Sequence, residues 1–161
     1  MLNRSDSIRF VRPLIGLPWE RGAAGPDAFD CGSFTAFVQR GMMGRELPVS
    51  LADYGDLVSA AALRQAIADA ELDAAWPVVT RAEGEEAARL ATTAGWRHGD
   101  VVVFRRGAFC HVGTWTALGQ GATGLLHCAR FDGVVLEPWS TARARSWTSI
   151  EACRPAAEAK P

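Results

Sequence analysis

The chain has 161 residues, with 17 basic and 18 acidic side chains and a formal net charge of −1. That balance excludes the basic footprint of a nucleic-acid partner, and no apolar run approaches the roughly 18–20 residues of a transmembrane helix, so membrane insertion is not expected. With 48% hydrophobic residues, six tryptophans and seven phenylalanines, the chain reads as one globular domain, 1–161, able to bury a core without covalent staples.

Residues 8–19 are apolar and suit a helix, but Pro13 makes any helix there short, kinked or begun at the proline. Residues 20–30 hold Gly22, Gly25, Pro26, Asp27 and Asp30. This is loop chemistry, and either aspartate can cap the next helix. From Cys31 to about Met43, Phe34, Phe37, Val38 and Met42 keep helical spacing, with Gly41 and Gly44 as the stop. A connection containing Pro48 comes next. Ala60 to Ala75 reads as a second helix and Glu83 to Ala94 as a third, closed by Gly95.

The period then changes. Val101–Phe104, after a Gly99-Asp100 turn, reads as a buried strand. Alternation predicts further strands over Cys110–Thr116, Leu125–Arg130 and Val134–Trp139. Ser146–Cys153 reads as a last, edge strand. Gly107, Gly119–Gly121 and Asp132-Gly133 supply the turns. Helices first and an antiparallel meander second make an α+β pattern, with helices packed on a five- to six-stranded sheet. The tail from about 154 to 161 is expected to be mobile.

The chemistry centres on Cys31. It comes directly after Asp27-Ala28-Phe29-Asp30, where loop meets helix. A thiol in the first turn sits in the positive end of the helix dipole, which favours thiolate. Lone cysteines are more often small buried hydrophobes than nucleophiles; the loop-to-helix setting favours the nucleophile here. A nucleophile needs a base, and the base an orienting partner. His111 and His127 stand in neighbouring strands. If those strands pair, alternation lets both histidines share one face and Cys110 and Cys128 the other. The expectation is that the histidine face looks at the Cys31 helix and the cysteine face is core. The same alternation argues against a zinc site made from Cys110-His111 and His127-Cys128. No metal or cofactor is called for. His98, before the Gly99-Asp100 turn, reads as a surface residue. No cysteine pair has CxxC spacing, so free thiols are the default.

Three ordered segments carry a family resemblance. Gly16-Leu17-Pro18-Trp19-Glu20-Arg21-Gly22 with Gly25–Cys31 resembles the opening of NlpC/P60 cell-wall peptidases. Gly99–Phe104 with His111-Val112-Gly113 resembles their base-bearing strands, and Leu125–Cys128 the strand of the third polar residue. Together they span about residues 8–150. The resemblance implies a papain-like α+β fold. It also implies amide hydrolysis in peptidoglycan stem peptides, often at the D-glutamyl–diaminopimelate bond. Cys31 would be nucleophile, His111 general base and His127 its orienter. Trp19, Asp30 and Ser33 would meet substrate. Gly41–Pro48 is similar to a stretch of the phage-tail and prophage branch, implying tail proteins as partners and a virion setting. Met1–Ser7 lacks a charged n-region followed by a long apolar run, so no secretory signal is read and synthesis in the cytoplasm is expected.

The sequence departs from the family pattern in places. Trp19 stands where tyrosine is frequent, so a second oxyanion donor is not supplied by a hydroxyl. Gly22-Ala23 replaces a Gly-Gly pair. Gly32-Ser33 reverses a frequent order, and His111 to His127 is 16 positions, from 127 − 111. Two other readings stand beside the peptidase. One is a structural tail-tip or assembly module that keeps the fold without activity. The other is a related cysteine hydrolase or acyltransferase acting on a different amide or ester.

Overall fold

In the computed structural model, residues 2–47, 75–107, 109–118 and 123–159 are described. The helix expected over Ala60–Ala75 and the Gly119–Gly121 turn lie outside them. The first helix, α1 (Arg4–Val11), starts at Asn3, whose side chain accepts from the Asp6 N–H at 3.0 Å. It ends ahead of Pro13, which sits inside a single 3₁₀ turn, Arg12–Leu14. The helix therefore begins earlier than residue 8, because the Asn3 cap satisfies an orphan donor there.

Helix α2 (Cys31–Val38) begins where expected, for a reciprocal reason. The Asp30 carboxylate accepts from the Ser33 N–H at 2.7 Å, and the Ser33 hydroxyl accepts from the Asp30 N–H at 3.1 Å. Two donors at the helix start are satisfied at once. A π-turn, Gln39–Met43, extends the helix, and Gly44 closes it at φ 65°, a left-handed conformation that costs glycine little.

The sheet has six antiparallel strands: β1 (Val78–Glu83), β2 (Val101–Arg106), β3 (Phe109–Ala117), β4 (Thr123–Ala129), β5 (Gly133–Glu137) and β6 (Ser149–Cys153). Their order in the sheet is β1-β6-β2-β3-β4-β5. Short helices α3 (Glu85–Leu90), α4 (Trp139–Arg143) and α5 (Ala156–Ala159) complete the described elements. The architecture is α+β.

Four expectations need correction. Residues 78–83 form a strand, and Glu83 ends it rather than opening a helix; the next helix is only Glu85–Leu90. Trp139 begins α4 after Pro138 instead of ending β5. The last strand is not an edge: β6 lies between β1 and β2. The tail is tied down at its first residue. Arg154 is buried and grips Asp100 bidentately, at 2.8 and 2.7 Å. Farther on, Glu158 pairs with Arg45.

The sheet is covered on both faces. One face presents Val101, Val103, Val112, Leu126, Cys128 and Val134 to α2, whose Phe34, Val38 and Met42 are fully buried against it. The other presents Val102, Phe104, Trp115, Leu125 and Ile150 to α3, α4 and Trp147. Strands buried on both faces read as continuous apolar runs, which is why Val101–Phe104 shows no alternation. Burying one side chain such as Phe34 contributes about 1.5–3 kcal/mol. Gln39 pins α2 in register: its buried amide donates to Gly99 O at 3.0 Å and Thr114 Oγ1 at 3.1 Å.

Candidate active site

Strand alternation groups the candidate residues as expected. His111 and His127 share one face, and His111 Nε2 lies 2.7 Å from His127 Nδ1. Gly113 makes this contact possible. A Cβ at position 113 would stand 2.9 Å from His127 Cβ, so any other residue would force the two strands apart. Cys110 and Cys128 occupy the opposite face.

The helix covers the other face from the one expected. Cys31 packs with Val101, Val103, Val112 and Cys110, on the cysteine side of the sheet. The histidine side faces Phe104 and Trp147 instead; the Trp147 ring lies nearly parallel to His111, at 7° and 6.2 Å between centroids. No hydrogen bond joins Cys31 to a histidine among the described residues. Alternation decides which side chains travel together but not which side a helix covers. Here the apolar stripe of α2 finds Leu126 and Val134.

Cys31 is nevertheless close to His111 along the chain of β3. Its sulfur is met by the backbone N–H of Val112, the next residue, and by the N–H groups of Cys31 and Gly32 at the helix start. The β3–β4 ladder pairs Thr114–Ala117 with Thr123–Leu126, so His111 and Val112 lie beyond its end. The thiol thus sits at a seam where β3 is released from β4.

The thiolate expected from the helix dipole is not the resting form. Burial first, and then the Asp30 carboxylate, push the Cys31 thiol up to about 11, against the smaller pull of the three backbone N–H groups. The residue that starts the helix also sets a negative charge beside the sulfur. Cys110 and Cys128 are pushed to about 12, chiefly by burial. No disulfide joins the cysteines among the described residues. His111 moves the other way: burial, then the charges of His127 and Arg145, hold it well below the ordinary histidine value. Burial favours the neutral form of each group, which raises a thiol and lowers an imidazole.

Asp30 and Ser33 are committed to the α2 cap rather than turned to a substrate. Trp19 bridges to Phe29, and the Arg130 guanidinium lies over its ring at 5.8 Å. His98 is half-buried, accepting from the Ala117 N–H at 3.1 Å. No three His, Cys, Asp or Glu side chains gather to hold a metal among the described residues.

Sequence reasoning missed Glu137 and Arg145. Buried Glu137 holds Oε2 3.3 Å from His127 Nε2, and its Oε1 accepts from Arg145 Nε at 3.1 Å. Burial raises the Glu137 carboxyl, but the nearby His127 ring and the hydrogen bonds from Arg145 prevail and hold it below the usual range. The β4–β5 register brings Glu137 here: it shares the parity of Val135, which pairs with His127. These groups line a pocket of about 430 Å³. Phe104 and Trp147 form part of its wall, and Arg106 and Arg130 also line it. Neither of these two arginines has a carboxylate partner among the described residues, and each instead lies over a phenylalanine ring.

No protein-family model matches the chain, and no curated protein does. Solved structures do. The NlpC/p60 domain of the peptidoglycan hydrolase SagA is 20% identical, over 93% of this chain and 98% of that one, with a TM-score of 0.46. NlpC2 from Trichomonas vaginalis is 15% identical over 94% of this chain, with a TM-score of 0.49, and NlpC1 from the same organism 14% over 95%, with 0.47. The match takes in 46% and 44% of those two chains, so this chain spans less than half of either. Likenesses of this size carry no residue roles across.

Proposed function

We propose that this chain is a cysteine hydrolase of the NlpC/P60 type, cleaving amide bonds in peptidoglycan stem peptides, with the D-glutamyl–diaminopimelate bond as first candidate. The observation that carries the reading is the seam: Cys31 sulfur against the Val112 N–H, one residue from a His111 already paired to His127. The ordered sequence motifs support the substrate class. The Gly41–Pro48 stretch supports a phage-tail setting, with tail proteins as partners and the virion as location.

In this reading the seam opens and the His111 ring meets the sulfur. The Cys31 proton passes to His111 as Sγ attacks the scissile carbonyl. The N–H of Cys31 helps hold the oxyanion. His111 returns its proton to the leaving amine, giving an acyl-enzyme, then takes a proton from the attacking water and hands it to the Cys31 sulfur as the acid departs. Nothing in this sequence asks Trp19 for a hydroxyl.

A second reading is favoured by the resting geometry itself. A protonated thiol on the far side of the sheet from its base is what a module retaining the fold without activity would show. One experiment separates them. Purified protein and Cys31→Ala are incubated with defined stem peptides, and products are read by mass spectrometry. Cleavage by the wild type, reduced roughly 10³-fold or more in Cys31→Ala, is the expected outcome. Binding without cleavage by either protein sinks the hydrolase and leaves the structural module.

A further inference from the structure

We propose that Glu137, anchored by Arg145, is a positioning residue that fixes the direction of the proton chain through both histidines, leaving His111 Nδ1 bare. The inference rests on the reading of His111 as the base. It goes beyond that reading by naming what decides which end of the imidazole pair is basic.

The 2.7 Å contact between His111 Nε2 and His127 Nδ1 holds one proton, which can belong to either ring. If it sits on His111 Nε2, a neutral His111 has a bare Nδ1 and can accept from a thiol. If it sits on His127 Nδ1, a neutral His111 carries its proton on Nδ1 and cannot. The pair is symmetric in chemistry, so something outside it must choose. Glu137 is asymmetric: its Oε2 lies 3.3 Å from His127 Nε2 and from neither nitrogen of the shared contact. The pair is out of line for a good hydrogen bond, and neither atom finds another partner. A negative oxygen that close in a buried site still favours a proton on Nε2. With Nε2 protonated, neutral His127 must leave Nδ1 bare, and His111 must donate to it.

Arg145 orients the carboxylate that makes this choice. Its Nε donates to Glu137 Oε1 at 3.1 Å, and Nη2 reaches the same oxygen at 2.5 Å. This fixes which carboxylate oxygen faces the imidazole and keeps the carboxylate charged. The other charged groups lining the pocket are Asp132, 3.6 Å from Arg145 Nη2, and Arg106 and Arg130.

The test is Glu137→Gln, of the same shape. Arg145 would claim the amide oxygen, so the NH₂ faces His127 Nε2 and donates to it. That nitrogen must then be bare, and the whole chain reverses. Long-range ¹H–¹⁵N spectra of the imidazoles, assigned with His111→Gln and His127→Gln and recorded above neutral pH, read the tautomers directly. The expected wild-type pattern is both Nε2 atoms protonated and both Nδ1 atoms bare. In Glu137→Gln the pattern inverts for both rings. Cleavage of stem peptide by Glu137→Gln should fall at least tenfold in kcat with KM little changed. A wild-type spectrum with Nδ1–H on His127 overturns the proposal by itself, even if the variant does not fold. So does a folded Glu137→Gln with unchanged tautomers. Expected tautomers in a protein that cleaves nothing would instead count against the hydrolase reading alone.

Discussion

The two faces of the sheet are equally buried and chemically unlike. On the α2 side, thiols and aliphatic chains pack under Phe34, Val38 and Met42, with Gln39 bonded to Thr114 and, on the same face, Arg105 paired with Glu151. On the other side, four polar groups run in line from His111 through His127 and Glu137 to Arg145, walled by tryptophan and phenylalanine. The difference shows what burial does without a partner and with one. The Cys31 thiol, buried and beside the Asp30 carboxylate, keeps its proton despite three backbone N–H groups. The Glu137 carboxylate, given two donors, stays charged despite burial. The Cys31 thiol and the His111 imidazole therefore rest as neutral groups, one on each face of the sheet.

The comparison breaks most visibly at Phe34. If the α2 face is held by apolar packing alone, Phe34→Ala should cost about 3–5 kcal/mol in a urea melt. The His111–His127 tautomers should not change. A loss below about 1 kcal/mol would mean that α2 is not seated as described.

The histidine face should show itself in pH. His111 is held below its unfolded value of about 6.5, so on acidification the unfolded chain takes up a proton before the native one does. Stability is then present above about pH 6.5 and lost as pH falls toward the folded pKa, with a slope up to about 1.4 kcal/mol per pH unit. Glu137 adds a loss only below its own unfolded value of 4.5. Urea midpoints between about pH 7 and 5.5 should fall for the wild type and flatten in His111→Gln. An equal slope in both would remove His111 from the account.

The smallest effect belongs to Cys31 and Asp30. Asparagine caps a helix about as well as aspartate, so Asp30→Asn should change stability by well under about 1 kcal/mol while removing the charge beside the sulfur. Thiolate becomes up to about tenfold more populated for each pKa unit regained. Iodoacetamide at mildly alkaline pH should label Cys31 slowly in the wild type and faster in Asp30→Asn, with Cys153 as the internal reference. Equal rates would show that burial alone sets the thiol.

Much of this was legible locally. The start of α2 was marked by Asp27 and Asp30, either of which can cap, because a cap needs only a few consecutive residues; the structure selects Asp30, with Ser33 closing the box. The period of two set His111 opposite Cys110 and His127 opposite Cys128 within each strand; pairing of the strands then brought the two histidines to one face. β1 was missed because Val78-Val79-Thr80 is a short β-branched run leading into Arg81-Ala82-Glu83, where acidic and alanine-rich residues suggest helix; its strand character comes from pairing with β6, more than sixty positions later in the chain. Glu137 was passed over because its value lies in the β4–β5 register that sets it beside His127, not in its neighbours.

The sequence by itself determined which side chains share a face, where the cysteine helix starts, and that both histidines travel together. These features arise from backbone chirality and from hydrogen bonds spanning a few residues. Only the tertiary structure decided which face α2 covers. Both faces carry buried apolar side chains, so alternation is silent between them. The choice falls to the fit of Phe34, Val38 and Met42 against Leu126, Cys128 and Val134, and it sets the resting thiol on the opposite face from the imidazoles.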